Sequence, residues 1–75
     1  MDIFKQMTAF VAAAQRGSLS AAARGEGVTP AMIERRLDAL ESRLGVRLVH
    51  RTTRQLTLTS EGQAFFEDCQ RLLTE

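Results

Sequence analysis

The apolar residues of this chain recur with a helical period, and the clearest case is the segment 29–45. Within it, Ile33, Leu37, Leu40 and Leu44 follow one another at spacings of four, three and four residues. Because an α-helix turns by about 100° per residue, these spacings align the four side chains along one face. The pattern predicts an amphipathic helix whose apolar face packs on a hydrophobic core.

Residues at both ends of this segment predict where the helix begins and ends. Thr29 is a favourable N-cap, because its hydroxyl can accept from the free N–H groups of the first turn, and Pro30 fits the first helical position, where no donor is needed. Gly45 suits a left-handed C-cap, and Arg43 lies near the negative end of the helix dipole. We therefore predict a helix over residues 30–44.

The face opposite the apolar stripe begins with small residues and then presents an arginine. A slim leading turn can enter the major groove of DNA, and a planar guanidinium behind it can donate to base edges. These features predict a DNA-recognition helix, although an ordinary amphipathic helix with a solvated charged face explains the same residues when the helix is taken alone. The outward face consists of Ala31, Arg35, Asp38 and Ser42, with Glu34 and Arg36 towards its flanks.

Two helices are predicted before the recognition helix. A broad apolar stripe in residues 2–16 predicts a core helix that ends at Gly17. Ser18 then caps a short, alanine-rich helix of about eight residues, and Gly27 terminates it. A short helix, a glycine turn and a longer capped helix have the spacing of a helix-turn-helix, although other helical corners share this spacing.

The apolar period changes after the recognition helix. The segments 48–51 and 55–58 are short and alternating or β-branched, which predicts two strands joined by a turn at 52–54. Leu56 and Leu58 point to one side, so the hairpin is expected to pack on the helices, because an isolated two-stranded hairpin is only marginally stable. A hairpin in this place is a wing whose basic tip can donate to phosphate oxygens. Taken alone, the tip fits a solvated basic turn equally well.

A last helix is predicted from residue 59 or 60 onward. Either Thr59 or Ser60 can cap it, supported by Glu61 or Gln63 in the first turn, and the sequence does not choose between the two caps. The apolar stripe that follows is expected in part to close the core. Because the helical pattern continues to the last residue, we expect a domain excised from a longer protein or a truncated gene product.

Composition and charge refine this picture. Seventy-five residues suffice for one domain, and a hydrophobic content of 44% argues against disorder. The net charge is only +1, but residues 29–58 carry six arginines against three carboxylates, whereas residues 59–75 carry one arginine against four carboxylates. A basic middle followed by an acidic end indicates a polyanion-binding face, although many solvated surfaces have a similar excess.

The sequence contains no pattern that predicts catalysis, a metal site or a cofactor. His50 is the sole histidine and has no nucleophile and orienting acid at a useful spacing, and no glycine-rich phosphate loop or metal spacing occurs. Cys69 cannot form an internal disulfide, which fits a reducing cytosol. Because neither a membrane-length apolar run nor a basic leader occurs, we expect a cytoplasmic protein without a membrane segment.

The order of these motifs closely resembles the N-terminal winged helix-turn-helix domain of LysR-type bacterial transcriptional regulators. The resemblance covers essentially the whole chain, and the motifs are specific in combination although each is weak alone. They are SLSAAA at 18–23, GVTPA at 27–31, RRL at 35–37, ALE at 39–41, LGVRL at 44–48, RTTR at 51–54 and LTSEG at 58–62.

The resemblance implies a fold that is mostly α with a small β-hairpin, comprising a three-helix core, a two-stranded wing at 49–57 and the start of a linker helix. It implies a DNA-binding domain over residues 1–58 and a linker helix over 59–75 that pairs two subunits, with the family's inducer-sensing domain absent. The implied function is sequence-specific binding of a homodimer to an interrupted palindrome in double-stranded DNA. Helix 30–44 would lie in the major groove and the wing on the phosphate backbone; a small-molecule inducer is implied only for the absent domain.

Family positions carried over one by one imply the contacts. Arg35 matches an arginine that touches DNA, residues 29–32 match the leading turn against base edges and backbone, and Ser18 and Ser20 match the phosphate-facing start of the second helix. The predicted DNA-binding residues are Ser18, Ser20, Thr29, Pro30, Ala31, Met32, Glu34, Arg35, Arg36, Arg51, Thr52, Thr53 and Arg54. The predicted dimerisation residues are Phe65, Phe66, Cys69, Leu72 and Leu73.

Two residues depart from the family pattern. Glu34 stands where members often carry a small hydroxyl residue, and its carboxylate repels phosphate but can accept from cytosine N4 or pair with a neighbouring arginine. Glu26 stands where many members place a leucine, so that edge of the second helix is expected to be more solvated. The near-neutral net charge favours two alternatives, a winged helix used for protein–protein contact and a truncated remnant with little DNA affinity.

Overall fold

The computed structural model describes residues 2–52 and 55–74 of the chain. The elements in chain order are α1 (Ile3–Arg16), α2 (Leu19–Glu26), α3 (Pro30–Leu44), β1 (Val49–Arg51), β2 (Leu56–Leu58) and α4 (Ser60–Thr74). Helices α1 to α3 and the antiparallel pair β1–β2 are the predicted three-helix core and wing. The predicted fold class, mostly α with a small β-hairpin, is confirmed.

Helices α2 and α3 begin and end at the predicted residues, and α1 ends as predicted but begins at Ile3, with Asp2 as its N-cap. The Thr29 hydroxyl accepts from the backbone N–H of Met32 at 3.2 Å, and Ser18 caps α2 in the same way. Each of these helices ends at a glycine in the left-handed region, which residues with a Cβ rarely adopt. The φ angles are 73°, 70° and 72° at Gly17, Gly27 and Gly45.

The apolar faces of the helices meet in one core. Phe10 of α1 and Ile33, Leu37 and Leu40 of α3 are fully buried, and each such side chain contributes about 1.5–3 kcal/mol on burial. The small side chains Ala22 and Ala23 bring the backbone of α2 close to the other two helices. The helix-turn-helix, formed by α2 and α3, therefore packs on α1 through this core.

Leu44 differs from the prediction made for the α3 stripe. It is 39% exposed, and with Val46 and Phe65 it lines an open groove instead of entering the core. The last turn of α3 therefore contributes less to core packing than its hydrophobic spacing indicates.

The hairpin packs on the helices, as predicted. Val49 pairs with Leu58 and Arg51 with Leu56, and both Val49 and Leu56 are buried. The backbone N–H of Leu56 donates to the carbonyl of Gly17 at 3.1 Å. This bond ties the wing to the turn between α1 and α2, so the wing has a fixed position relative to the start of α2.

The sequence leaves two caps open for α4, and the structure selects Thr59. The Thr59 hydroxyl accepts from the N–H of Gly62 at 2.9 Å and donates to the carbonyl of Arg47 at 2.7 Å. Its backbone N–H donates to the carbonyl of Leu48 at 3.0 Å. The beginning of α4 is thus bonded to the segment that leads into β1.

Helix α4 packs one face on the core and exposes its last turn. The Phe10 ring lies 5.7 Å from that of Phe65 and 6.3 Å from that of Phe66, centroid to centroid, so both α4 rings are partly buried within this protomer. Leu72 and Leu73, in contrast, are exposed. Of the predicted dimerisation residues, these two offer the most apolar surface to a partner.

Cys69 requires a correction to the predicted dimerisation set. Its side chain is completely buried in the core of this protomer, so it has no surface to offer a second subunit. Burial, and then the charge of Asp68, raise the pKa of the Cys69 thiol to about 11. The residue is therefore a protonated core side chain at neutral pH.

Within residues 2–52 and 55–74, no helix has both the length and the apolar character needed to cross a membrane.

Candidate nucleic-acid interface

Three separate elements converge on one surface cleft. The start of α2, the first residue of α3 and the hairpin enclose an open space of about 380 Å³. The cleft is lined by Ser18, Leu19, Ser20, Pro30, Arg51, Thr52, Gln55 and Leu56. The structure therefore brings together residues from all three stretches that the sequence analysis assigned to DNA binding.

The N-terminal half of α3 presents its predicted face to solvent beside this cleft. Pro30, Ala31, Met32, Glu34 and Arg35 are all exposed, and none of them belongs to the core. The exposed side chains occupy the first two turns of the helix. This half of α3 is consequently free to contact a partner surface along its length.

The remaining predicted residues of the helix-turn-helix are more constrained. Arg36 is half-buried, and Ser20 is exposed at the start of α2. The hydroxyls of Ser18 and Thr29 are engaged as N-caps, accepting from backbone N–H groups, although each can still donate its own proton.

Arg51 is oriented differently from the prediction that placed it on phosphate. Its guanidinium points to α3, where Nη1 lies 2.8 Å from Oδ1 of Asp38 and 3.7 Å from Oε1 of Glu34, and Nη2 lies 3.3 Å from Oε1 of Glu41. The side chain is largely buried. Because carboxylates on α3 occupy much of its donor capacity, Arg51 attaches the wing to α3.

Glu41 is a residue that the sequence analysis did not single out. Its Oε2 accepts from the backbone N–H groups of Leu48 and Val49 at 2.7 and 3.2 Å, while its Oε1 faces Arg51. One carboxylate therefore bonds both the beginning and the end of β1. The spacing of Glu34, Asp38 and Glu41, which places them along one flank of α3, was the available signal for this contact.

The turn of the hairpin is described only at its base. The N–H of Thr52 donates to the carbonyl of Gln55 at 2.8 Å, and the N–H of Gln55 donates to the Thr52 hydroxyl at 2.9 Å. Thr53 and Arg54, both predicted to contact DNA, lie outside the described residues.

Across the described ranges, no group of three or more histidine, cysteine, aspartate or glutamate side chains could hold a metal ion. His50 is exposed on β1. The polar side chains of the cleft are hydroxyls, an amide and a guanidinium, which suit hydrogen bonding to an anionic partner.

Comparison with known proteins identifies the family. Residues 4–63 match the family described as bacterial regulatory helix-turn-helix protein, LysR family. The chain belongs to the LysR family. The predicted resemblance is thereby confirmed over most of the 75 residues.

Curated relatives of this LysR-family chain are transcriptional regulators. An HTH-type transcriptional repressor of Pseudomonas aeruginosa (strain UCBPP-PA14) is 44% identical over 75 residues, which is all of this chain and 24% of the relative. The HTH-type transcriptional regulator DmlR of Escherichia coli (strain K12) is 37% identical over the same length, again 24% of the relative. The LysR-family chain thus spans about a quarter of the length of these relatives.

Solved structures agree with this assignment. The LysR-family chain matches the DNA-binding domain of CbnR in its crystal structure with DNA, at a TM-score of 0.93 and 42% identity, over 99% of this chain and 84% of that one. It also matches the crystal structure of CbnR, a LysR family transcriptional regulator, at a TM-score of 0.90, covering 25% of that chain. The winged helix-turn-helix of this chain is therefore that of LysR DNA-binding domains.

Proposed function

We propose that this chain binds double-stranded DNA sequence-specifically as the DNA-binding part of a LysR-type transcription regulator. In this proposal, α3 lies in the major groove and the wing lies along the neighbouring phosphate backbone. The region 1–58 is the DNA-binding domain, and α4 begins the linker helix that pairs two subunits. The chain acts without catalysing a reaction, in the bacterial cytoplasm.

The observation that carries this proposal is the convergence of α2, α3 and the wing on one side of the molecule. A duplex that receives the exposed leading turns of α3 in its major groove passes directly over the cleft between α2 and the hairpin. Phosphates on either side of the groove then meet Ser20 and Thr52. The match to the CbnR DNA-binding domain, which was solved with DNA, supports DNA binding by this fold.

The predicted residues divide between base contacts and backbone contacts in this complex. Arg35, exposed behind the small leading turn, donates to base edges, whereas Ser18, Ser20 and Thr52 contact the backbone. Arg51 holds the wing against α3, leaving phosphate contact at the tip to Arg54. Because base contacts specify sequence and phosphate contacts position the protein, the two classes respond differently to mutation.

The experiment that tests this function is a binding titration with duplexes recovered by selection from a random library. Fluorescence anisotropy at two salt concentrations measures the affinity and its salt slope for the wild type, Arg35→Ala and Arg54→Ala. Arg35→Ala is expected to cost about 1–3 kcal/mol on the selected duplex and to relax preference at one base pair. Arg54→Ala is expected to weaken all duplexes alike and to reduce the salt slope by about one.

Arg71→Ala is the matched control, because it removes the same charge from α4, at an exposed residue paired with Asp68 outside the cleft. It should leave base preference unchanged. DNA binding that is indifferent to salt, or absent, would favour a protein partner for this winged helix instead. Unchanged binding by Arg35→Ala would show that Arg35 is not a base-contacting residue.

A further inference from the structure

Glu34 occupies a distinctive position on the proposed DNA-facing surface. It lies in the second turn of α3, and its side chain is 51% exposed. At about 100° per residue, Glu34 projects about 60° around the helix axis from Ala31 on one side, and Arg35 projects about 40° from Ala31 on the other. A duplex that receives Ala31 and Arg35 in its major groove therefore also receives Glu34.

The charge of Glu34 is partly offset but its acceptor capacity is not used. Nη1 of Arg51 lies 3.7 Å from Oε1 of Glu34, close enough to compensate charge but beyond hydrogen-bond distance. The shorter contacts of Arg51 go to Asp38 and Glu41. Among residues 2–52 and 55–74, no other ion pair to Glu34 is present, so both of its oxygens can accept from a ligand.

The chemistry of base edges determines which ligand suits this carboxylate. In the major groove, guanine presents N7 and O6 acceptors and thymine presents its O4 acceptor, all of which repel a carboxylate. Adenine has an N6 donor, but its N7 acceptor lies beside it. Cytosine presents the N4 amino group as a donor with no acceptor on the same base in this groove, and is the base that acidic side chains accept from.

From these observations we infer that Glu34 selects a cytosine at one base-pair position of the recognised site. The inference rests on the proposed function, because it requires α3 in the major groove. Glu34 lowers the affinity for sites with guanine or thymine at that position. Its carboxylate then faces an acceptor atom and the negative phosphate backbone, and it gains no hydrogen bond. Because cytosine N4 offers one hydrogen to the groove, this single contact is expected to discriminate about 5-fold between bases, the lower end of the range for a good base contact.

The test is selection from a random duplex library with the full 75-residue chain, followed by sequencing and by anisotropy titrations on the selected duplexes. The wild type is expected to enrich cytosine at one position. Glu34→Ala should lose that enrichment while keeping the other positions, and Glu34→Gln should shift the same position to adenine, because a glutamine amide pairs with adenine N6 and N7. Circular dichroism checks that each variant is folded.

Asp38→Asn is the matched control. It removes the same charge from the same flank of α3, but its carboxylate is already hydrogen-bonded to Arg51 at 2.8 Å. Asp38→Asn should keep the cytosine preference. The inference is overturned if Glu34→Ala retains the wild-type preference at every position, or if Asp38→Asn changes the cytosine position and the Glu34 variants do not. Failure of the wild type to enrich any sequence would instead overturn the proposed function, and this inference with it.

Discussion

Gly62 lies where α4 comes closest to the segment that leads into the wing. A Cβ built on Gly62 would lie 1.9 Å from the carbonyl oxygen of Leu48, which is far inside contact distance. The same carbonyl accepts from the N–H of Thr59, so it cannot move without breaking that bond. Gly62 is required here for the space its missing side chain leaves, since its φ is not in the left-handed region.

Gly62→Ala is therefore expected to lower the free energy of unfolding by about 1–3 kcal/mol, because the added methyl group overpacks a backbone contact. Urea denaturation followed by circular dichroism measures the change. Gly25→Ala is the control: its added Cβ would meet only the flexible guanidinium end of Arg16, so the substitution should be neutral or stabilising by up to about 1 kcal/mol. Equal stability of both variants would mean that α4 can shift away from Leu48 without cost.

Single residues with local roles are the ones that the sequence predicts best. The N-caps Ser18 and Thr29 and the C-cap Gly45 were predicted correctly, because capping depends on hydrogen bonds within one turn of the same helix. The orientation of Arg51 was not predicted. Its partners lie on another element, and only the folded arrangement brings them within 4 Å.

At the scale of elements, one flank of α3 forms the connection between recognition helix and wing. Glu41 is mostly buried, with 14% of its side chain exposed. It accepts hydrogen bonds from the backbone N–H groups of Leu48, just before β1, and of Val49, the first residue of β1. Asp38, one turn earlier, is 61% exposed, and within residues 2–52 and 55–74 its carboxylate pairs with Arg51. The two acids contact the same guanidinium, but only Glu41 satisfies backbone donors.

We expect Glu41→Ala to destabilise the chain by about 1–3 kcal/mol, because two partly buried N–H groups lose their acceptor. Asp38→Ala should cost less than about 1 kcal/mol, as is usual for an exposed ion pair. Thermal or urea unfolding of the two variants provides the comparison. The expectation that Glu41 contributes more than Asp38 to the connection between α3 and the wing would be wrong if Asp38→Ala proved the more destabilising change.

Element boundaries and element packing were predictable to different extents. The helices, the hairpin and their order follow from hydrophobic period, caps and turns, all of which are local signals. Leu44 is predicted on the buried stripe but is exposed. Periodicity indicates which face of a helix is apolar, but it does not indicate how much of that face other elements cover. The convergence of α2, α3 and the wing on one cleft was expected only through the family resemblance.

At the scale of the whole molecule, the end of α4 leaves large apolar side chains on the surface. Leu72 is 61% exposed and Leu73 37%, whereas Phe65, Phe66 and Cys69 turn towards the core. The LysR family assignment and this pair of leucines together support the proposed pairing of two copies through α4.

The chain is accordingly expected to associate in a concentration-dependent manner in sedimentation velocity experiments. Leu72→Ser should weaken the dimer by about tenfold or more, because it removes an apolar side chain from each side of a symmetric contact. Met32→Ser, which alters an exposed apolar residue on α3, is the control and should leave association unchanged. A wild-type chain that stays monomeric at all concentrations would exclude this part of α4 as an interface.

The bonds at Thr59 have a consequence for such a dimer. Thr59 makes four hydrogen bonds, two to the carbonyls of Arg47 and Leu48 and two from the N–H groups of Gly62 and Gln63. They hold the start of α4 against residues 47–48, the segment that follows α3 and leads into β1. Two subunits joined through α4 would then hold their recognition helices a set distance apart. The bonds of Thr59 would thereby determine the number of base pairs between the two halves of an operator.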